Sequence, residues 1–334
     1  RDALYAASDG DTIAFLSGLS GTIVLDPGEG QLEIDDTIVV SGPSASSITI
    51  DANHSSRVFY VCASSGPATI SGLTITGGYR TKGGGVYEES CGGVILRDVV
   101  ITGNDGGNYG GGVYSNGELW IYGSTITNNI ADTYGGGVYA GSTVVIADSV
   151  ISGNTLRQPG HGGGGVFAGG TTSIIRTEIS NNVTPASGGG LYTSYSGAVS
   201  IIDSTISGNQ AGGSGGGVAI EGSQSIVLVA NSTITGNTAV GDGGALLSVE
   251  ASLQFLQSTI VANSAGHGGG VAFTVGGPLD FAGTIISGNA ATVTTADIFA
   301  LGQTMPPIAV GFAGSLVGEI SAGITAPGAG NILS

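Results

Sequence analysis

Basic residues are scarce. Lysine and arginine number 7 against 24 acids in 334 residues, leaving a net charge of −17. Seven cations cannot neutralise a phosphate backbone, which excludes nucleic acid as a partner. Proline is low at 9 and the 65 glycines follow no Gly-X-Y period, so collagen is excluded. Apolar residues come in runs of three to six, far short of the ~20 that a membrane-crossing helix needs. Only 9 % of residues are charged while 40 % are hydrophobic, which is not the composition of a disordered chain. The expectation is a soluble, acidic, glycine-rich β protein.

Two phrases recur in step. Gly-Gly-Gly-Val-Tyr, or a close variant, stands at Gly83–Tyr87, Gly110–Tyr114, Gly135–Tyr139, Gly163–Phe167, Gly188–Tyr192, Gly215–Ala219 and Gly268–Ala272, with a degenerate copy at Gly243–Leu246. Thr-Ile-(Ser/Thr)-Gly-Asn ends at Gly78, Asn104, Asn129, Asn154, Asn182, Asn209, Asn237, Asn263 and Asn289. The steps are 26, 25, 25, 28, 27, 28, 26 and 26 residues. A period of this size marks a solenoid, propeller or array. Three before each of those positions is an isoleucine, from Ile75 to Ile286. Eight before lies a second apolar column, Ile70, Leu96, Ile121, Ile146, Ile174, Ile201, Val229, Phe255 and Phe281. The valine of Gly-Gly-Gly-Val gives a third. Polar neighbours alternate with these positions, as in half-exposed strands.

Three short strands in ~26 residues predict one coil of a right-handed, single-stranded parallel β-helix; a propeller blade needs ~40 or more. Gly and Asn suit the tight corners, and stacked Asn side chains can form a ladder. About twelve coils at ~4.8 Å give a rod of about 55–60 Å. The expected organisation is one elongated domain over 1–334. Its parts are an N-terminal cap and first coil (1–30, with a short helix over Asp2–Ala7), regular coils (31–289) and an irregular C-terminal segment (290–334). That last segment is expected to cap the final coil or dock on another subunit.

The paired phrases resemble the polymorphic outer-membrane protein repeat of bacterial surface and autotransporter-type proteins. The N-terminal run is similar to secreted bacterial proteins with a CSLREA domain, through Arg1-Asp-Ala-Leu, Asp11-Thr-Ile-Ala-Phe, Ser20-Gly-Thr-Ile-Val-Leu, Leu32-Glu-Ile, Ser47-Ile-Thr-Ile-Asp-Ala-Asn, Arg57-Val-Phe and Ile70-Ser-Gly-Leu-Thr-Ile-Thr-Gly-Gly. The resemblance implies this fold and a secreted or cell-surface location of bacterial type, with the chain a processed or truncated form. Cys62 and Cys91 lie 29 residues apart, about one coil, so their Cα atoms can stack within disulfide range. Two buried free cysteines are the other reading; the secreted location favours the disulfide.

Chemistry-bearing clusters are few. Asp148, Arg176 and Asp203 stand six before the Asn position on successive coils. They read first as an ion-pair ladder, and second as a site for an acidic sugar. Asp35-Asp36, Gly160-His161-Gly162 and Gly266-His267-Gly268 look like fragments of a galacturonase-type set, but the Asp pair is about five coils from His161. His161 and His267 are expected to be solvated loop residues, and His54 has no partner at metal-ligand spacing. No cofactor is expected; a structural Ca²⁺ lacks the Gly-Gly-x-Gly-x-Asp repeat that would support it. Outward threonines (Thr74/Thr76, Thr125/Thr127, Thr205/Ser207, Thr233/Thr235) resemble an ice-binding face, interrupted by Val100, Val150, Glu178 and Ile285. Tyr87, Tyr114, Tyr139, Phe167 and Tyr192 form a longer outward column, read as cross-coil packing, a carbohydrate strip or a subunit contact.

The leading expectation is a non-catalytic structural or adhesive rod, associating with itself end to end or laterally, or with surface glycans or proteins. The alternative is a β-helix that binds or degrades a polysaccharide, and a minor one is ice binding.

Overall fold

The structure, a computed structural model, describes residues 1–194, 197–222, 225–274, 278–294, 297–301, 308–309, 311–319, 324–325 and 332–333. Among these the chain winds as a parallel coil whose strands stack into three long sheets of 12, 13 and 11 members. The first sheet carries the Ile70 column, the second the Ile75 column, and the third the valine of the glycine phrase. Register places like on like: Ile101 pairs with Ile75 and Ile126, Leu96 with Ile70 and Ile121, and Val113 with Val86 and Val138. The three columns meet along the axis as one continuous core, with all nine isoleucines from Ile75 to Ile286 fully buried. Each buried side chain of this size contributes roughly 1.5–3 kcal/mol.

The corners differ in kind. Between the first and second sheets the chain turns through one residue in the left-handed region: Asp98 (φ 53°), Gly123 (57°), Asp148 (53°), Arg176 (46°), Asp203 (52°), Asn231 (50°) and Gln257 (48°). Just inside it runs a ladder of small hydroxyls that the repeat reading missed. Ser149 Oγ accepts from Ser124 N, Thr177 Oγ1 from Ser149 N and Ser204 Oγ from Thr177 N, one coil at a time. At the next corner the expected asparagine ladder forms, each Nδ2 donating to the next Oδ1 at 2.9–3.1 Å from Asn104 to Asn289. Asp297 ends it by accepting from Asn289, its carboxyl standing where the next amide would be.

Two expectations change. Past each asparagine from Asn129 on the chain stays extended for two residues, building a fourth, seven-stranded sheet from Ile130–Ala131 to Ala290–Ala291; a coil therefore has up to four strands. The helix spans Asp2–Ala6. In the C-terminal segment Ile298–Ala300, Gly311–Ala313 and Leu316–Val317 extend the third, first and second sheets, so coiling outlasts the sequence phrases. Residues 302–307, 310, 320–323, 326–331 and 334, where a cap or docking segment was expected, lie outside the described residues.

Candidate functional site

The glycine phrase builds the site. Gly110 turns at φ 59°, and a Cβ on Gly111 would lie 2.2 Å from the Gly136 carbonyl oxygen of the next coil. Only bare backbone stacks this closely. The residue ahead of the glycines then swings over the outer face of the third sheet. On successive coils that position is Lys82, Tyr109, Tyr134 and Gly162, in parallel register. His161, one residue earlier, lays its ring on Tyr134 at 5.0 Å.

Two aromatic columns therefore meet at right angles. Tyr60, Tyr87, Tyr114, Tyr139, Phe167 and Tyr192 stack face to face along the third sheet, centroids 4.7 to 5.6 Å apart. Tyr109 and Tyr134 abut that stack edge-on, at 68° to Tyr114, 73° and 86° to Tyr139, and 88° to Phe167. Offset stacking and edge-to-face contact are the two arrangements the ring quadrupole favours. The outward column is thus no open strip: Tyr87, Tyr114, Phe167 and Tyr192 keep 8 %, 4 %, 3 % and 3 % of their surface. Ring faces are used within the stack, so what the column turns toward the groove is ring edge.

Between the columns and the opposite turn runs a groove of about 520 Å³, lined by Lys82, Tyr109, Tyr134, His161, Ser194 and Glu221 over a floor of Tyr114, Tyr139, Phe167 and Tyr192. Hydroxyls at its edge are anchored: Tyr114 donates to Asn116 (2.9 Å) and Tyr192 to Glu221 (2.8 Å). Ser194 Oγ is buried with no hydrogen-bond partner among the described residues.

At Lys82 the groove opens into a recess of about 390 Å³ formed by Arg57, Tyr60, Arg80, Thr81, Lys82, Tyr87 and Glu89. The Arg57 guanidinium lies 4.2 Å over the Tyr87 ring, and Lys82 Nζ 5.0 Å over Tyr114. Burial, together with the neighbouring Arg80 charge, pulls the Arg57 pKa below its usual value. Glu89 accepts from the hydroxyls of Tyr60 and Tyr87. That bond pushes Tyr60 up to about 12; burial and then the Glu89 charge push Tyr87 up to about 12.

An ordinary tyrosine ionises near 10. Because these two are raised in the folded state, the stability they confer is complete below about pH 10 and is lost as pH climbs from about 10 to 12. We expect ultraviolet titration to show a late phenolate step that Glu89→Gln moves toward lower pH. An unmoved curve would contradict the bond.

The other singled-out residues lie elsewhere. Arg176 grips Asp148 at 2.6 and 2.8 Å, which lowers the Asp148 pKa; Asp203 adds only a weaker attraction to that guanidinium. The column occupies the left-handed corner and is largely exposed. Cys62 and Cys91 are joined, Cα atoms 4.9 Å apart, holding the turn after Glu89 to the previous coil. Glu88, fully buried, accepts from the amides of Cys91, Gly93 and Gly117 and from Ser115 Oγ. Neither histidine of the glycine phrases is simply solvated: His161 stacks on Tyr134, while His267 bonds Asp242 at 2.7 Å and stacks on Phe299. No group of three metal-ligating side chains occurs among the described residues, nor does any described helix have the length and apolarity to cross a membrane.

The profile described as right-handed beta helix region matches residues 138–304, half of the sequence. The chain belongs to the right-handed β-helix family. No curated protein matches this β-helix in sequence. Among solved structures it is similar to the A-module of a mannuronan C-5 epimerase from Azotobacter vinelandii, at 14 % identity and TM-score 0.47, covering 100 % of this chain and 93 % of that one. It is also similar to a PL6 alginate lyase solved with a trisaccharide, at 12 % identity and TM-score 0.43, covering 99 % and 80 %. At these values neither likeness bears on what this β-helix does.

Proposed function

We propose that this protein is an extracellular polysaccharide-binding β-helix and that its ligand lies along the third-sheet groove, parallel to the rod axis. The observation that carries the reading is the groove itself. It joins aromatic edges (Tyr109, Tyr134, His161) to a few polar groups at one side (Ser194, Glu221), the combination that fixes small ligands and sugar units in clefts. Its floor of four stacked rings, Tyr114, Tyr139, Phe167 and Tyr192, runs about 14 Å at ~4.8 Å per coil, room for an oligosaccharide of about three units. Stiffness alone, which an adhesive or fibre-forming rod would need, calls for neither the second aromatic column nor the buried Ser194 hydroxyl, which has no hydrogen-bond partner among the described residues. The Cys62–Cys91 disulfide supports an oxidising, extracellular setting, as does the likeness to secreted repeat proteins.

The test is affinity electrophoresis through gels cast with a panel of soluble polysaccharides. At least one should retard the protein, and Tyr134→Ala or His161→Ala should weaken that binding about tenfold or more, the equivalent of ~1.4 kcal/mol, with circular dichroism unchanged. Lack of retardation by any of the panel, or retardation indifferent to both substitutions, would sink the reading.

A further inference from the structure

We infer that the polysaccharide is acidic, and that its anionic groups dock in the recess formed by Arg57, Arg80 and Lys82. The inference rests on the groove reading above and specifies its ligand. Three of the chain's seven basic residues surround this one recess, in a protein whose net charge is −17. Three of the other four are neutralised: Arg1 by Glu29, Arg157 by Asp105 and Asp132, and Arg176 by Asp148. The fourth, Arg97, lies over Tyr122 in the first sheet. Arg57, Arg80 and Lys82 have no carboxylate oxygen within 4.0 Å among the described residues. With acids outnumbering bases by more than three to one, three adjacent cations without an ion pair are not what surface chance supplies.

Their surroundings are those of a receptor. Arg57 is held by the Tyr87 face, and its buried Nε has no hydrogen-bond partner among the described residues. Arg80 and Lys82 stand two residues apart at the mouth, Arg80 exposed and Lys82 half-buried. The single acid in the recess lining, Glu89, accepts from two tyrosine hydroxyls and attracts Arg57 only weakly, so three cations face one carboxylate there. A guanidinium fork suits the two oxygens of a carboxylate or two of a sulfate, and the ammonium of Lys82 serves either as a point charge. Lys82 also lines the aromatic groove, so one chain of sugars can reach both. The overall negative charge does not forbid this, since at physiological salt the Debye length is about 8 Å and distant acids are screened while contacts in a recess are not.

The experiment is calorimetric titration of the whole chain with four oligosaccharides of equal length. They are an oligouronate, its methyl ester (the same sugar without charge), a sulfated oligosaccharide and a neutral one. We expect the oligouronate or the sulfated ligand to bind at least tenfold more tightly than the ester and the neutral sugar, which of the two telling carboxylate from sulfate. Arg80→Gln and Lys82→Gln should each cut that binding about tenfold or more and abolish most of the preference. Arg97→Gln, which removes the same charge on another sheet, should leave it intact. Arg80 and Lys82 lie outside the core, so the test survives if Arg57→Gln folds poorly. Equal binding of charged and uncharged ligands, still sensitive to Tyr134→Ala, would overturn the acidic ligand and keep the groove. Equal losses from Arg97→Gln would overturn the recess as the docking place. No binding of any oligosaccharide would overturn the groove reading and this inference with it.

Discussion

Replacing Asn182 by alanine should destabilise the chain by about 4–6 kcal/mol. The side chain is fully buried. Its Nδ2 donates to Ile151 O and to Asn209 Oδ1, and its Oδ1 accepts from both Asn154 N and Asn154 Nδ2. Alanine keeps the backbone and none of these. Asn154 N–H then has no acceptor at a buried corner, a loss of about 1–3 kcal/mol for that group alone, and each other bond removed adds about 1 kcal/mol. Because coils contact only their neighbours, the damage should be local before it is global. Hydrogen exchange at the Asn154 amide should quicken by about a hundredfold or more, with distant coils unchanged. Asn108→Ala, at an exposed position, should stay within about 0.5 kcal/mol of the parent. An Asn182 variant that melts and exchanges like the parent would show that the ladder decorates the corner without holding it.

Gly136→Ala should cost about 3 kcal/mol or more, at the upper end of overpacking. An added methyl would stand 2.4 Å from Gly164 O and 2.8 Å from the Thr155 carbonyl. Both are backbone, so neither can rotate aside and the two coils must part. Gly288→Ala is the counterpart, with φ at 68° but nothing within 4 Å; only left-handed strain remains, about 1–2 kcal/mol. The contrast separates close approach from backbone conformation as the reason for glycine. Gly136→Ala should also move Tyr134 off Tyr139, so its glycan affinity should fall even where the fold survives. Equal melting temperatures for the two variants would refute the distinction.

The solenoid was legible because its causes repeat. An isoleucine three before each asparagine can only be a stack, and the register of Ile101 on Ile75 and Ile126 follows from spacing alone. The hydroxyl column of Ser124, Ser149, Thr177 and Ser204 is periodic too, five before each asparagine from Asn129 on, but serine and threonine suit any turn and so announce no column. The tyrosine column was visible as a column, but its burial was not. What covers it comes from the residues before the glycines, Lys82, Tyr109, Tyr134 and His161, whose side chains share a place without sharing a type. The basic recess was harder still. Arg57 comes from one coil and Arg80 and Lys82 from the next, and no period announces three cations that appear once. Asp148, Arg176 and Asp203 drew notice for their charges, whereas the corner they occupy is set by left-handed backbone.

Coil length has a further consequence. From the second apolar column to the isoleucine is five residues in every repeat, Ile70 to Ile75 as much as Phe281 to Ile286. The differences between coils fall in the two turns on either side of the third sheet: Asn154 to Val166 is 12 residues where Asn129 to Val138 is 9, and Val218 to Val229 is 11 where Val138 to Ile146 is 8. Among the repeats from Ile70 on, length varies in the turns flanking the third sheet, which also wall the groove; the coil before them differs at the other corner, with ten residues from Val40 to Ile50. The rod thus behaves as a fixed loom on which the borders are rewoven: descendants of such a chain, natural or designed, can exchange one ligand for another by resizing two turns, coil by coil, while the stacks that hold the fold are left alone.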